Sequence, residues 1–223
     1  MKKENKIGNF FRCKKCLVTS TRPRVVFKNG ICTPCLNFED RKKTNWKKRF
    51  QILKNICKKL RRKDGKFDVI VPVGGGKDSS YVAWMLKYKL KMNPLCVFCE
   101  PPLFSNLGLK NLLNFESAGF PVIKIPHTKT DKSINKKMFI KDGLPQHSWL
   151  AKIKIAPMKI AQMMDIKLIM WGEEGESMYG GSNKCKLKLK LDPKNITKFY
   201  LESHEIRNAA SSIHRLSFFS PHN

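Results

Sequence analysis

Residues 71–81 read Val-Pro-Val-Gly-Gly-Gly-Lys-Asp-Ser-Ser-Tyr, VPVGGGKDSSY, and this stretch decides the fold. It follows a β-like run, Phe67–Val71, and precedes an apolar, helix-like run. A strand feeding a glycine turn and then a helix is built for an anion. Glycines let backbone N–H groups converge, and the helix N-terminus adds positive partial charge. Lys77 adds a full charge. Two common phosphate patterns fail. G-x-x-x-x-G-K-[ST] would need Asp78 to be Ser or Thr and Val71 to be Gly; G-x-G-x-x-G fits Gly74 and Gly76 but meets Ser79 at its last position.

Outward from the turn, strands and helices alternate. The pattern predicts strands at Phe67–Val73, Pro94–Cys99, Pro121–Ile125 and Ile166–Trp171. It predicts helices at Asp78–Leu90, Asn106–Ala118, Lys132–Ile140 and Leu150–Met164. Continuous apolar strands between helices imply an α/β fold, a doubly wound, mostly parallel sheet covered on both faces. Ligands of such sheets sit at the carboxyl ends of the strands, where both glycine-rich segments fall. Upstream, 41–66 reads as one basic connecting helix stopped by Asp64-Gly65, with Trp46, Phe50, Leu53, Ile56, Cys57 and Leu60 on its buried face. After Tyr179–Ser182 the pattern decays, although 185–191 alternates like an edge strand.

Residues 13–35 carry a second signal. Cys13-x2-Cys16 and Cys32-x2-Cys35 stand fifteen residues apart, the spacing with which two knuckles grip one tetrahedral Zn²⁺. Four thiolates would close the shell, so the zinc would be structural. Cys96 and Cys99 are three apart inside a predicted strand, so they point to opposite faces and read as buried apolar residues. His127, His147, His204, His214 and His222 form no ligand set.

Lys+Arg number 45 against 17 Asp+Glu, a net charge of +28. Such charge suits a nucleic-acid partner, but lysine is spread along the chain and far outnumbers arginine, which favours a compositional bias. No stretch approaches the ~20 apolar residues of a membrane helix, and the N-terminus lacks a signal-peptide apolar region. A cytoplasmic location with no membrane span is expected.

The segment Gly74-Gly75-Gly76-Lys77-Asp78-Ser79 resembles the S-G-G-x-D-S loop of the N-type ATP pyrophosphatases, the PP-loop superfamily, with Gly74 in place of its serine. Four segments in order, CKKCLVTSTRPRVVFKNGICTPCLNFED (13–40), DGKFDVIVPVGGGKDSSY (64–81), GLPQHSW (143–149) and IKLIMWGEEGESMYGGS (166–182), are similar to the N-acetyl sugar amidotransferases of surface-polysaccharide (lipopolysaccharide) biosynthesis. The resemblance covers roughly residues 12–182. It implies ATP and Mg²⁺ as cofactors beside structural Zn²⁺. ATP would adenylate the acetamido carbonyl of an N-acetyl sugar, nucleotide-linked or a precursor. Ammonia from a separate glutaminase subunit would then give an acetamidino sugar. It places ATP on Gly74, Gly75, Gly76, Lys77, Asp78, Ser79, Ser80 and Gly172, with catalytic duties on Lys77, Asp78, Ser79 and Glu173, the first of the acids Glu173, Glu174 and Glu176. No cysteine sits in a glycine-flanked elbow, as a built-in glutaminase would need.

The expected organisation is a zinc module at 1–40 with little regular structure, the connecting helix 41–66, an ATP pyrophosphatase domain 67–182 and a divergent tail 183–223, shorter than in the family and read as a truncation. Two alternatives stand beside the sugar enzyme. One is a tRNA thiolase of the same superfamily, with Cys96 or Cys99 serving the chemistry; the order of landmarks ranks tRNA behind the sugar. The other is a non-catalytic nucleotide-binding remnant, motivated by Gly74 and the short C-terminus.

Overall fold

The computed structural model describes residues 10–22 and 25–173. The readings that fall on Glu174, Glu176, 185–191 and the tail 183–223 lie outside them. The chain divides into two compact units; among the described residues one runs to Lys48 and the other over Arg49–Glu173.

In the first unit, β1 (Phe27–Lys28) and β2 (Ile31–Cys32) form an antiparallel ribbon, and α1 spans Thr33–Lys42. Asn29 and Gly30 make its two-residue turn with φ of 54° and 77°. Two positive φ values match the right-handed strand twist, which is why Asn-Gly occupies such turns. The expectation of little regular structure before residue 40 is therefore corrected by a ten-residue helix, started by Pro34 in its first turn.

In the second unit the central sheet is parallel, in the order β3 (Val69–Val73), β4 (Pro94–Cys99), β5 (Val122–Ile125). The fourth predicted strand contracts to a parallel bridge, Ile70 with Ile169, on the free side of β3. Ile70 N–H donates to Leu168 O and Met170 N–H to Ile70 O, each at 2.9 Å. The spatial order is thus β5, β4, β3, then 168–170. The chain first builds outward from β3 in one direction and then returns to its other side. The switch point lies between β3 and 168–170.

All six residues of β4 are buried, as a central strand covered on both faces requires. Alternation sorts them. Cys96 and Phe98 join Val69, Val71 and Val73 on one face, against Ala83, Leu86, Leu112 and Cys57. Leu95, Val97 and Cys99 join Ile70 on the other, against Ala161 and Ile166. The period-two pattern thus makes two cores from one sheet. Cys96 and Cys99 do fall on opposite faces, and burial pushes their thiols up to about 12 and about 11.

The helices are α2 (Trp46–Leu60), α3 (Lys77–Trp84), α4 (Asn106–Ser117), α5 (Lys129–Asp142) and α6 (His147–Met163). The single helix expected over 41–66 is corrected to α2, because residues 41 and 42 belong to α1 and the chain leaves helix at Leu60, before Asp64. Cys57 is buried with Phe50 and Leu53 against it, but Trp46 and Ile56 are exposed. The helix after the glycine turn continues past Trp84 as one turn of π-helix, Met85–Lys89, which closes with Leu90 N–H on Met85 O. A capping box starts α5: Thr128 Oγ1 accepts from Asp131 N–H and the Asp131 carboxylate accepts from Thr128 N–H. Lys152 of α6 donates to the same carboxylate and to Pro126 O, tying α6 to the end of β5.

Candidate functional site

The glycine turn leaves the carboxyl end of β3. Gly75 has φ +74°, a conformation that side-chain-bearing residues rarely adopt. Gly76, extended at φ −92° and ψ 166°, is the N-cap of α3. Its lack of a side chain leaves the first-turn amides open to a ligand, and those amides have no partner four residues back along the helix. Gly74, Gly76, Lys77 and Asp78 are exposed; Gly75, Ser79 and Ser80 are half-buried. The turn is thus a shallow cradle of amides at a strand's carboxyl end.

Lys77 and Asp78 pair with one another, Nζ 2.8 Å from both carboxylate oxygens, with side chains 88% and 61% exposed. An ion pair so exposed is worth at most ~1 kcal/mol, so a ligand can separate it easily. The ammonium could then turn to phosphate, and the carboxylate would offer hard oxygens to a divalent cation. The Ser80 hydroxyl donates to Gly76 O at 2.9 Å, so its proton is already engaged inside the turn.

Two further segments converge on the cradle. From α4, a Cβ built on Gly75 would lie 2.8 Å from Gly108 O, and the Asn111 amide donates to Gly75 O at 3.2 Å. From the end of 168–170, a Cβ built on Gly172 would lie 2.6 Å from the Ser79 nitrogen and 2.9 Å from the Asp78 carbonyl carbon. Only glycine allows that approach of backbone to backbone. It brings together two segments more than ninety residues apart in the chain, at the switch point where doubly wound sheets bind ligands. Glu173 follows directly and is exposed.

Asn111 and Trp171 were not singled out from the sequence. Asn111 sits on an ordinary amphipathic helix, and only the β3–α4 juxtaposition gives it a partner. Among the described residues the buried Trp171 indole nitrogen has no hydrogen-bond partner, and the Lys154 ammonium lies 5.7 Å from the Trp171 ring centre. Trp171 precedes Gly172, so a buried polar donor stands beside the crevice.

In the other unit, the Sγ atoms of Cys13, Cys16, Cys32 and Cys35 lie within 4.8 Å of one another. Cys16 and Cys32 are 3.5 Å apart and Cys13 and Cys35 are 4.0 Å apart. A tetrahedron with Zn–S bonds of about 2.3 Å has edges of ~3.8 Å, so the donor set fits zinc. Cys32 ends β2 and is the N-cap of α1, and Cys35 sits in the first turn of that helix. Cys13 Sγ accepts N–H bonds from Lys15 and Cys32 at 3.4 and 3.2 Å. Burial raises the Cys13 thiol, but these backbone donors overcome it and bring the group to about 6. Burial and then the neighbouring thiols push Cys35 to about 12. Four crowded thiols cannot all ionise against each other, and a dication is what would let them.

No known family profile matches the chain. An uncharacterised protein of Methanocaldococcus jannaschii is 31% identical over 105 residues, which are 46% of this chain and 38% of that protein. The chain therefore matches well under two thirds of that relative's length. Among solved structures, the chain is similar to the NH3-dependent NAD synthetase of Campylobacter jejuni with a TM-score of 0.42 and 14% identity, over 78% of this chain and 83% of that one. Among the described residues no helix is long and apolar enough to cross a membrane.

Proposed function

We propose that the chain carries an AMP-forming ATP pyrophosphatase site that transfers ammonia to the acetamido group of an N-acetyl sugar. One observation carries the reading: Gly172, from the late WGEEGE landmark, abuts the Ser79 and Asp78 backbone of the early loop. Two segments similar to the same family at opposite ends of the domain meet at one crevice.

In this proposal the amides of Gly74–Ser79 and the Lys77 ammonium hold the β- and γ-phosphates. Asp78 holds Mg²⁺, which supplies charge neutralisation of the phosphates. The acetamido oxygen attacks the α-phosphorus and pyrophosphate leaves, its charge taken up by the cradle. Ammonia then adds to the activated carbon and AMP departs with the former carbonyl oxygen. An acetamidine remains, the ammonia coming from a partner glutaminase. Glu173, at the crevice mouth, orients the sugar or the metal. In sequence, the zinc module, 1–40, precedes this domain and the tail, 183–223, follows it, with zinc serving structure alone.

A sulfur-transfer reading on tRNA draws less support. It needs an accessible thiolate, whereas Cys96 and Cys99 are almost fully buried and burial pushes both thiols well above neutrality. The test is sugar-dependent AMP release with ATP, Mg²⁺ and an ammonium salt, against a parallel reaction offering tRNA and a sulfur donor.

A further inference from the structure

The close packing of Gly75 creates a problem that Asn111 solves. Gly108 O would lie 2.8 Å from any Cβ at position 75, so only glycine fits there, at φ +74°. Gly76 follows it. A peptide bond flanked by two glycines has almost no steric barrier to flipping. The flip matters because the peptide is planar and trans: C=O of residue 75 and N–H of residue 76 point in opposite directions. With the Gly75 carbonyl held toward α4, the Gly76 N–H points away from α4. After a flip, the carbonyl would stand where the donor was, and an anion in the cradle would meet a negative dipole.

The Gly75 carbonyl is held by the Asn111 side-chain amide at 3.2 Å. Its base is rigid. Leu112, the next residue, is 2% exposed in the core, and Ser105 caps α4 by accepting from Gly108 N–H at 3.0 Å. Asn111 itself is exposed, so it contributes little to the core.

We propose that Asn111 is a positioning residue: a latch that fixes the orientation of the Gly75–Gly76 peptide and so keeps the phosphate cradle in its donor state. This rests on the phosphate reading of the turn and deepens it. Asn111 touches no reacting atom; it acts through Gly75.

The test uses the full chain and inorganic pyrophosphate, with affinity read by calorimetry and the melting temperature as a control. Asn111→Leu keeps shape and loses the donor, and binding should weaken about 3- to 10-fold, the range of one net hydrogen bond. Asn111→Asp places a carboxylate against the carbonyl, favours the flip, and should weaken binding further. Asn111→Gln keeps the donor and should stay within about threefold of wild type. All should melt together within a few degrees, and a crystal structure of Asn111→Leu should show the flipped peptide. If wild type binds pyrophosphate and the Leu and Asp variants bind it equally well, the latch is overturned while the phosphate reading stands. The latch is also overturned if Gln loses as much as Leu. Absence of binding in wild type overturns the phosphate reading and the latch with it.

Discussion

The backbone of Gly172 rests on that of Ser79 so closely that a Cβ on the glycine would meet the serine nitrogen at 2.6 Å and its Cα at 2.8 Å. These are main-chain atoms of the first turn of α3, and they cannot swing aside as a side-chain tip can. Gly172→Ala must therefore move either α3 or the segment after Met170. Since the cradle is the start of α3, ATP affinity should fall at least about tenfold, for a displacement costing over ~1.4 kcal/mol. Gly74 is the contrast, with open space around any added Cβ and an ordinary φ. Gly74→Ser should fold like wild type and bind ATP at least as tightly, because it adds a hydroxyl beside the amides. Equal ATP affinity of Gly172→Ala and wild type, by calorimetry, would refute the shared-site geometry.

Lys77 and Lys137 are both exposed cations, but only Lys77 stands at the helix start beside the glycines. A charge-assisted hydrogen bond contributes about 1.5–3 kcal/mol. Lys77→Ala should weaken ATP binding by roughly tenfold or more, and Lys137→Ala by less than twofold. Asp78→Asn should spare metal-free nucleotide binding and abolish its enhancement by Mg²⁺. Titrations with and without the metal separate the two roles. Similar losses at Lys77 and Lys137 would mean that only overall charge matters.

The sequence made the second unit legible because each β-strand of its sheet is a short apolar run between amphipathic helices. β4 was readable to the residue, Pro94–Cys99, since a strand buried on both faces admits little but apolar side chains. The fourth strand was overread: 166–171 has the composition of a strand, but at the sheet edge only Ile169 keeps a ladder partner. Helix ends drifted for a local reason. Thr128 and Asp131 begin α5 three residues earlier than its apolar pattern does, through a capping box. In the first unit the cysteine spacing pointed to four thiols that the fold does bring together, and the Asn29-Gly30 pair is a hairpin signal at the turn of the ribbon. Asn111 was not legible at all, because its meaning comes from tertiary contact with Gly75.

The cysteine cluster predicts about one zinc per chain by elemental analysis of purified protein. Cys13→Ser should lose it, because Cys13 lies within reach of all three other thiols. Cys96→Ser should keep it, because Cys96 is sealed in the sheet core. Retention of full zinc by Cys13→Ser would contradict the assignment.

Asp131 sets an acid limit. Burial raises its carboxyl, but Lys152 and Thr128 outweigh burial and hold it at about 2, against an ordinary 3.8. A depressed folded-state pKa gives stability that is present above the unfolded value and is lost as pH falls through the folded one. The contribution, about 2 kcal/mol, is complete above roughly pH 5, partly lost by about pH 3, and gone below about pH 2. Asp131→Asn should be less stable than wild type at pH 7 by that order. Urea denaturation at falling pH should show the gap closing, and a gap constant down to about pH 3 would place the ion pair's effect elsewhere.

The most direct test of the central claim is sugar-dependent AMP release. The protein is supplied with ATP, Mg²⁺, an ammonium salt and a panel of nucleotide-linked N-acetyl sugars. The account predicts AMP and pyrophosphate formed only when an N-acetyl sugar is present, with the sugar product lighter by about one mass unit as NH replaces O, and loss of both signals in Lys77→Ala. Sulfur incorporation into tRNA in the parallel reaction, with no AMP dependent on any sugar, would contradict it.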